Sequence, residues 1–295
     1  MNFDILVAAG CSHTHGSAFV ESPCPHPGPY RWKTKQLEDK YKVECTPEFI
    51  TNNLTWMAKL KNHFTISKIY NFGYGGMGTT SAIRAMYNYC FRTEDISNTV
   101  FMLQLQSTFR NSVYFNGYKG SELVSLGEFL RHPGVEKEFQ IKYSNYFVNE
   151  PRDIYLYLTD ILKLQEYIES RNGIFKIIPF WFSIPNWPIS TINRLNLTNH
   201  YLDSISFNCE EQKDIGLVEL LNRLNIINLK NQSQKYGMVR TNNYTLHSEG
   251  LVENDHHFSE YGNELLANMI ADNINTKLSF TITNNMLCLA PTKSI

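Results

Sequence analysis

The sequence predicts an α/β domain, a three-layer α/β/α sandwich with a mainly parallel sheet. Three observations carry that prediction. Short apolar runs alternate with segments of helical periodicity along most of the chain. The runs are apolar at consecutive positions, as in strands buried on both faces. The turn after the first run, a glycine-rich turn after the second and the end of the third all fall at one edge of such a sheet. Ligands of open α/β folds bind at that edge.

The elements follow in order. Residues 3–9 form the first expected strand. Residues 17–50 read as irregular, because Pro23, Pro25, Pro27 and Pro29 remove donors and fix φ. That segment is either a lid over a site or a surface loop. Asn53 to Phe64 has helical spacing at Leu54, Met57, Ala58 and Leu60. Ile66 to Tyr70 is a second strand, followed by the turn Gly73-Tyr74-Gly75-Gly76-Met77-Gly78. Thr79 or Thr80 is expected to cap the next helix, which carries Ile83, Met86, Tyr87 and Cys90. Thr99 to Leu105 is a third strand, and residues 111–150 read as a polar, aromatic-rich insertion.

Ile154 to Ser170 is amphipathic with one broad apolar face, and Asn172-Gly173 closes it in a C-cap pattern. Ile174 to Phe182 is a fourth strand, ended by Pro185 and Pro188. Residues 189–235 read as largely helical, with Leu217, Leu220, Leu221 and Leu224 as one stripe. Ser259 to Lys277 is a final helix with Tyr261, Leu265, Leu266, Met269 and Ile270 inward. The expected organisation is one domain over 1–278, with insertions at about 17–50 and 111–150 and a tail over 279–295.

Composition narrows the function classes. Lys+Arg 27 against Asp+Glu 28 gives net charge -1, so there is no global basic field and nucleic acid is not an expected partner. The six cysteines form no Cys-x-x-Cys pair and suggest neither a zinc knuckle nor a disulfide framework. A reduced, cytoplasmic setting fits best. The N-terminus lacks the basic region of a signal peptide, and no stretch approaches the ~18 apolar residues of a membrane span. Among the 17 Tyr and 18 Phe, some are expected to line a cleft.

Chemistry concentrates at two distant places. Ala9-Gly10-Cys11-Ser12-His13-Thr14-His15-Gly16 puts a hydroxyl just past the first strand. A serine nucleophile needs a base in hydrogen-bond reach and a group that orients the base. Asp255-His256-His257-Phe258-Ser259 supplies both. His257 is read as the base and Asp255 as its orienter, with His256 and Asn254 as alternates. The oxyanion donors are read as the N–H groups of Ser12 and Gly76 and an amide side chain at the end of the third strand. Arg110 is either a surface charge or, if it faces the cleft, an anchor for an anionic group. Asn71 is read as tying its turn down by hydrogen bonds. His13, His15, His256, His257 and Asp255 would also suit a metal. The serine arrangement explains the same residues with fewer assumptions, so no metal or other cofactor is expected.

These residues resemble the four blocks of the SGNH (GDSL-like) hydrolases, in order and across almost the whole chain. Gly10-Cys11-Ser12-His13-Thr14 looks like the first block, with Cys11 in place of the usual aspartate. Asn71-Phe72-Gly73-Tyr74-Gly75-Gly76 looks like the second, with Gly76 at the oxyanion-donating glycine. Asp255-His256-His257-Phe258-Ser259, with Gly262 after it, looks like the last. The third block departs: the strand ends Gln104-Leu105-Gln106-Ser107 where the family has Gly-x-Asn-Asp, and Gln106 is the candidate substitute. The aspartate–histidine spacing is two rather than three.

The resemblance implies a flavodoxin-like sandwich of SGNH type and a serine-dependent esterase, with a small-molecule or carbohydrate ester as substrate. An acyltransferase would use the same intermediate. The altered third block motivates an alternative, a non-catalytic binding or structural protein on the same fold.

Overall fold

The structure, a computed structural model, describes residues 3–16, 19, 37–74, 78–105, 112–117, 120–125, 136–138, 150–179, 217–229, 239–240, 244–245, 258–283 and 286–289. Four strands make the central sheet: β1 (Ile5–Ala9), β2 (Lys68–Asn71), β3 (Thr99–Gln104) and, after a hairpin of β4 (Ser112–Gly117) and β5 (Gly120–Ser125), β6 (Ile174–Ile178). Their order is β2-β1-β3-β6 and every pairing is parallel. Ala8 stands opposite Asn71 on one side and Met102 on the other, and Gln104 stands opposite Ile178.

A fifth segment extends the sheet. Ile226 bridges Ile177 in parallel, with Ile177 N–H donating to Asn225 O at 2.9 Å and Ile227 N–H donating to Ile177 O at 2.9 Å. The spatial order is therefore the doubly wound 2-1-3-4-5 arrangement. The chain leaves β1 to one side for β2, then returns past β1 to form β3. In sheets of this kind ligands bind at that reversal, outside the carboxyl ends of β1 and β3.

Alternation along the strands builds two cores. Val7, Ala9, Phe101, Leu103, Phe175 and Ile177 face one layer. The helices of that layer, counted after α1 (Ser12–His15), α2 (Pro47–Asn53) and α3 (Trp56–Lys59), are α4 (Thr79–Arg92), α5 (Glu150–Ser170) and α6 (Leu217–Arg223). Leu6, Ala8, Val100, Met102 and Ile178 face the other layer, made by α3 and α7 (Glu260–Asn273). All six residues of β3 are buried, as a central strand requires. Each fully buried large apolar side chain contributes about 1.5–3 kcal/mol.

Several elements differ from expectation, each for a local reason. Residues 53–64 do not form one helix. Thr55 Oγ1 donates to Thr51 O at 2.9 Å, closing α2, and accepts from Ala58 N–H at 3.4 Å, opening α3. The cap of α4 is Gly78, at φ -90 and ψ 167, and Thr79 is the first helical residue. Tyr261 is not inward but 50% exposed. The Ser259 cap sets the phase of α7 so that Gly262, Asn263, Leu265, Leu266, Met269 and Ile270 are buried.

β6 stops at Ile178, short of the expected Phe182. Within 189–235 the described residues are 217–229, which hold α6 and the Ile226 bridge to β6; the rest of that expected helical stretch lies outside the described residues. The insertion holds the β4–β5 hairpin. A further pair of short strands, β7 (Val239–Arg240) and β8 (Tyr244–Thr245), is antiparallel. The tail forms an antiparallel hairpin of β9 (Phe280–Thr283) and β10 (Met286–Leu289). Phe280 is buried, and its backbone exchanges two hydrogen bonds with the Asn222 side chain at 2.8 and 3.1 Å. The proline-rich Ser22–Pro29 lies outside the described residues.

The expected C-cap of α5 forms with the roles divided. Asn172 takes the left-handed conformation at φ 61, and Gly173 N–H donates to Ile168 O at 3.0 Å. Gly173 is needed for space, since a Cβ there would lie 2.7 Å from Ile168 Cγ2. Asn172 is exposed, so replacing it tests backbone conformation alone. Asn172→Ala should lose about 1 kcal/mol in urea denaturation, and Asn172→Gly should lose none.

Candidate active site

The site begins with the turn after β1, where the chain has no room for a side chain at position 10. A Cβ on Gly10 would lie 2.5 Å from both Gln104 Oε1 and Thr14 Oγ1. The absent side chain lets the chain turn over the end of β3. Thr14 Oγ1 then donates to Gln104 Oε1 at 2.5 Å, and the Cys11 thiol points to the same oxygen at 3.7 Å. Thr14 and Cys11 are 0% exposed and Gln104 is 3%. Ser12 opens the single turn of α1, held by His15 N–H donating to Cys11 O at 2.9 Å. Gly16 ends it at φ +79.

The second turn is laced onto the first. Phe72 N–H donates to Ala8 O at 2.8 Å and Tyr74 N–H to Gly10 O at 3.1 Å. The Asn71 side chain donates to Thr14 O at 3.0 Å and accepts from Gly73 N–H at 2.8 Å. Gly73 crosses so close that a Cβ would lie 2.5 Å from His15 N. Beyond the crossing, the rings of His15 and Tyr74 meet at 5.9 Å. Burial lowers the His15 pKa below the ordinary histidine value, so its imidazole is neutral at pH 7. Tyr74 is 61% exposed.

The third part is the entry to α7. Phe258 is 2% exposed in the core, and Ser259 Oγ accepts from Gly262 N–H at 3.0 Å as the helix cap. Asn263, 1% exposed, donates to Ser259 O at 2.9 Å and accepts Trp56 N–H at 2.8 Å. Trp56 follows Thr55, whose methyl would lie 3.0 Å from a Cβ on Gly16. The start of α7 is thereby joined through the start of α3 to the residue that closes the Ser12 turn.

Glu260, beside the cap, is held by Lys40 Nζ at 2.6 Å, by Lys59 Nζ at 3.4 Å and by the Tyr41 hydroxyl. Burial alone would raise its pKa. The hydrogen bonds from Lys40 and Tyr41, with the charges of Lys59 and Lys40, outweigh that and hold it below the ordinary glutamate value. Its place in the first turn of α7 favours the charged form further.

The residues expected to act divide into those described and those not. The backbone of Ser12 stands just past the carboxyl end of β1, the neighbour of β3, while the side chains of Ser12 and His13 lie outside the described set. Gly76, Gln106, Arg110, Asn254, Asp255, His256 and His257 lie outside it as well. Asn71 acts as expected, as a tie between turns. Cys11, Cys45 and Cys90 are buried free thiols, and burial pushes the Cys90 pKa up to about 11. No helix among the described residues is long and apolar enough to cross a membrane. Sequence reasoning passed over Gln104, Asn263 and Glu260. The first two had a signal, a polar residue inside an otherwise apolar pattern, which needs a buried partner.

Strand order, covering helices and the serine-bearing turn together define a flavodoxin-like α/β/α sandwich with its candidate site at the switch point. No family model matches the sequence, and no curated protein matches it. Solved structures do. One is a member of the lipolytic protein G-D-S-L family from Veillonella parvula, 10% identical, matching over 92% of this chain and 98% of that one at a TM-score of 0.39. A second is a mutant of an acetyl-xylooligosaccharide esterase from Geobacillus, 11% identical over 95% and 98% of the two chains, with a TM-score of 0.39. A third is a GDSL-like lipase from Bacteroides thetaiotaomicron, 8% identical over 91% and 86%, with a TM-score of 0.36.

Two measurements check this account. Gly10→Ala should cost about 1–3 kcal/mol in urea denaturation, because the Thr14–Gln104 contact must open to admit a methyl group. Glu260 binds fewer protons folded than unfolded near its titration range, so its contribution is present above the ordinary value of about 4.3 and lost as pH falls through the folded value. The stability gap between wild type and Glu260→Gln should therefore be widest at pH 7 and close below about pH 4.

Proposed function

We propose that the protein is a serine-dependent ester hydrolase of SGNH type that removes an O-acyl group from a carbohydrate or other small alcohol. Ser12 attacks the ester carbonyl and His257 takes its proton, while Asp255 holds the imidazole and stabilises its charged form. The N–H groups of Ser12 and Gly76, with the Gln106 amide, receive the oxyanion. The alcohol leaves with the proton from His257. Water activated by the same histidine then releases the acid and regenerates Ser12. Another alcohol in place of that water would make the protein an acyltransferase.

One observation carries this reading. Phe258 and Ser259 are anchored, and α7 is tied through Asn263 and Trp56 to the turn that Ser12 opens. Positions 255–257 run directly into that anchored segment, which supports the reading. A second reading, a non-catalytic binding or structural protein, has its own observation. The described end of β3 offers Gln104, which is buried under the turn rather than presented at the cleft.

Hydrolysis of short p-nitrophenyl esters separates the two. Wild type should turn them over, and Ser12→Ala should lose at least about a thousandfold in kcat. A fluorophosphonate probe should label Ser12 in the folded protein. Equal rates for the two proteins, with no labelling, would leave the binding reading standing.

A further inference from the structure

α4 is apolar on two sides, and the core accounts for only one of them. Ala82, Ile83, Met86, Tyr89 and Cys90 are buried beneath the helix. Arg84, Tyr87, Asn88 and Phe91 form a second stripe, and they line an open groove of about 390 Å³. Phe91 is 71% exposed, more than any other large apolar side chain among the described residues. Its ring lies nearly parallel to that of Tyr87, at 6.0 Å with the planes inclined by 18°. Tyr167 of α5 packs against both, at 5.7 Å from Tyr87 and 5.8 Å from Phe91. Arg171 closes the end of this face. Its guanidinium donates to Cys90 O at 2.7 Å, Thr93 O at 2.8 Å and Glu94 O at 2.7 Å, and lies 5.8 Å from the Tyr167 ring. Three rings are thus arranged around a groove that opens outward.

The spacing says what fits the groove. Positions 84, 87, 88 and 91 are i, i+3, i+4 and i+7, neighbours on one helix face. Four such residues make a hole that receives one side chain, a knob, from a helix laid alongside. Here the most exposed apolar knob, Phe91, stands on the same helix as the hole. A helix that carries both is complementary to itself. A two-fold axis fills both holes at once, because each contact then occurs twice.

The charges agree with that arrangement. With the α4 helices of two copies antiparallel, Phe91 of one copy at the centre of the other's hole stands opposite positions 87 and 88. Position 84 of one copy then falls three to four residues beyond Phe91 of the other, where Glu94 and Asp95 follow the helix. Arg84, Glu94 and Asp95 are all exposed. Asp95 accepts Ser97 N–H at 2.9 Å, which holds its carboxyl below the ordinary aspartate value and keeps it charged at pH 7. Within one chain Arg84 is about 15 Å of helix away from position 94, so a second copy brings together charges that a single copy keeps apart.

We propose that the protein forms a two-fold dimer through the outer face of α4. Phe91 of each copy is seated in the groove of the other, and Arg84 of each copy pairs with Glu94 and Asp95 of the other. The dimer does not depend on the ester-hydrolase reading.

Sedimentation equilibrium of the full chain at micromolar concentrations tests it. Wild type should show a monomer–dimer equilibrium. Phe91→Asp should raise the dissociation constant by at least about a hundredfold. Arg84→Glu should raise it by about tenfold. Arg84→Glu combined with Glu94→Arg should recover most of that tenfold, since the pair is then reversed across the interface.

A wild type that stays monomeric at every concentration would overturn the dimer. If that monomer also unfolds at lower temperature when it carries Phe91→Asp, the face belongs to a segment of the same chain. A dimer that Phe91→Asp leaves intact would also overturn the proposal, by placing the interface elsewhere. A dimer weakened by Arg84→Glu and not recovered in the double variant would overturn the antiparallel pairing.

Discussion

The candidate site depends on a close approach of two strand ends. β1 and β3 are neighbours, and their carboxyl ends meet where Gly10 passes over Gln104. No other residue type fits there, and the space a side chain would occupy is filled by the Thr14–Gln104 hydrogen bond. That bond is buried, so it forms in a medium where an unmade partner is costly. The Ser12 turn therefore has a fixed height above the sheet. Everything laid over it inherits that height: Gly73 against His15, Tyr74 N–H against Gly10 O, Thr55 against Gly16.

The same geometry explains the unusual end of β3. A strand that is apolar from Val100 to Leu103 ends in a glutamine, and the chain then returns to a buried leucine. As a cleft residue Gln104 would make little sense, since it is 3% exposed. As the acceptor for Thr14 and Cys11 it replaces solvent beneath the turn. The cysteine at the position before Ser12 belongs to that arrangement, because a charged side chain in so dry a place would need a partner of opposite sign.

The fold was legible because its strands are buried on both faces. Consecutive apolar residues at 5–9 and 100–103 are short enough for buried strands, and the glycine-rich turn marks where the second strand ends. Boundaries were less legible where one side chain decides between alternatives. The apolar positions Leu54, Met57, Ala58 and Leu60 suit a continuous helix, but Thr55 ends one helix and caps the next with the same oxygen. Tyr261 fits an apolar stripe by spacing, yet the phase of α7 is set by Ser259 and Asn263, which spacing does not weigh. The tie made by Asn71 could be read from local pattern. Gln104 and Asn263 showed only as polar residues inside apolar patterns, and their partners, 90 and 207 positions away, could not be read from the sequence.

That separation bears on how the molecule is made. β1, its turn and β2 emerge early in synthesis, but the N–H of Trp56 finds its acceptor only when Asn263 arrives. Contacts so distant in sequence form late, because a long loop must close before they are rewarded. A nascent chain therefore carries Ser12 for most of its elongation before the helix that receives the Trp56 N–H has been made.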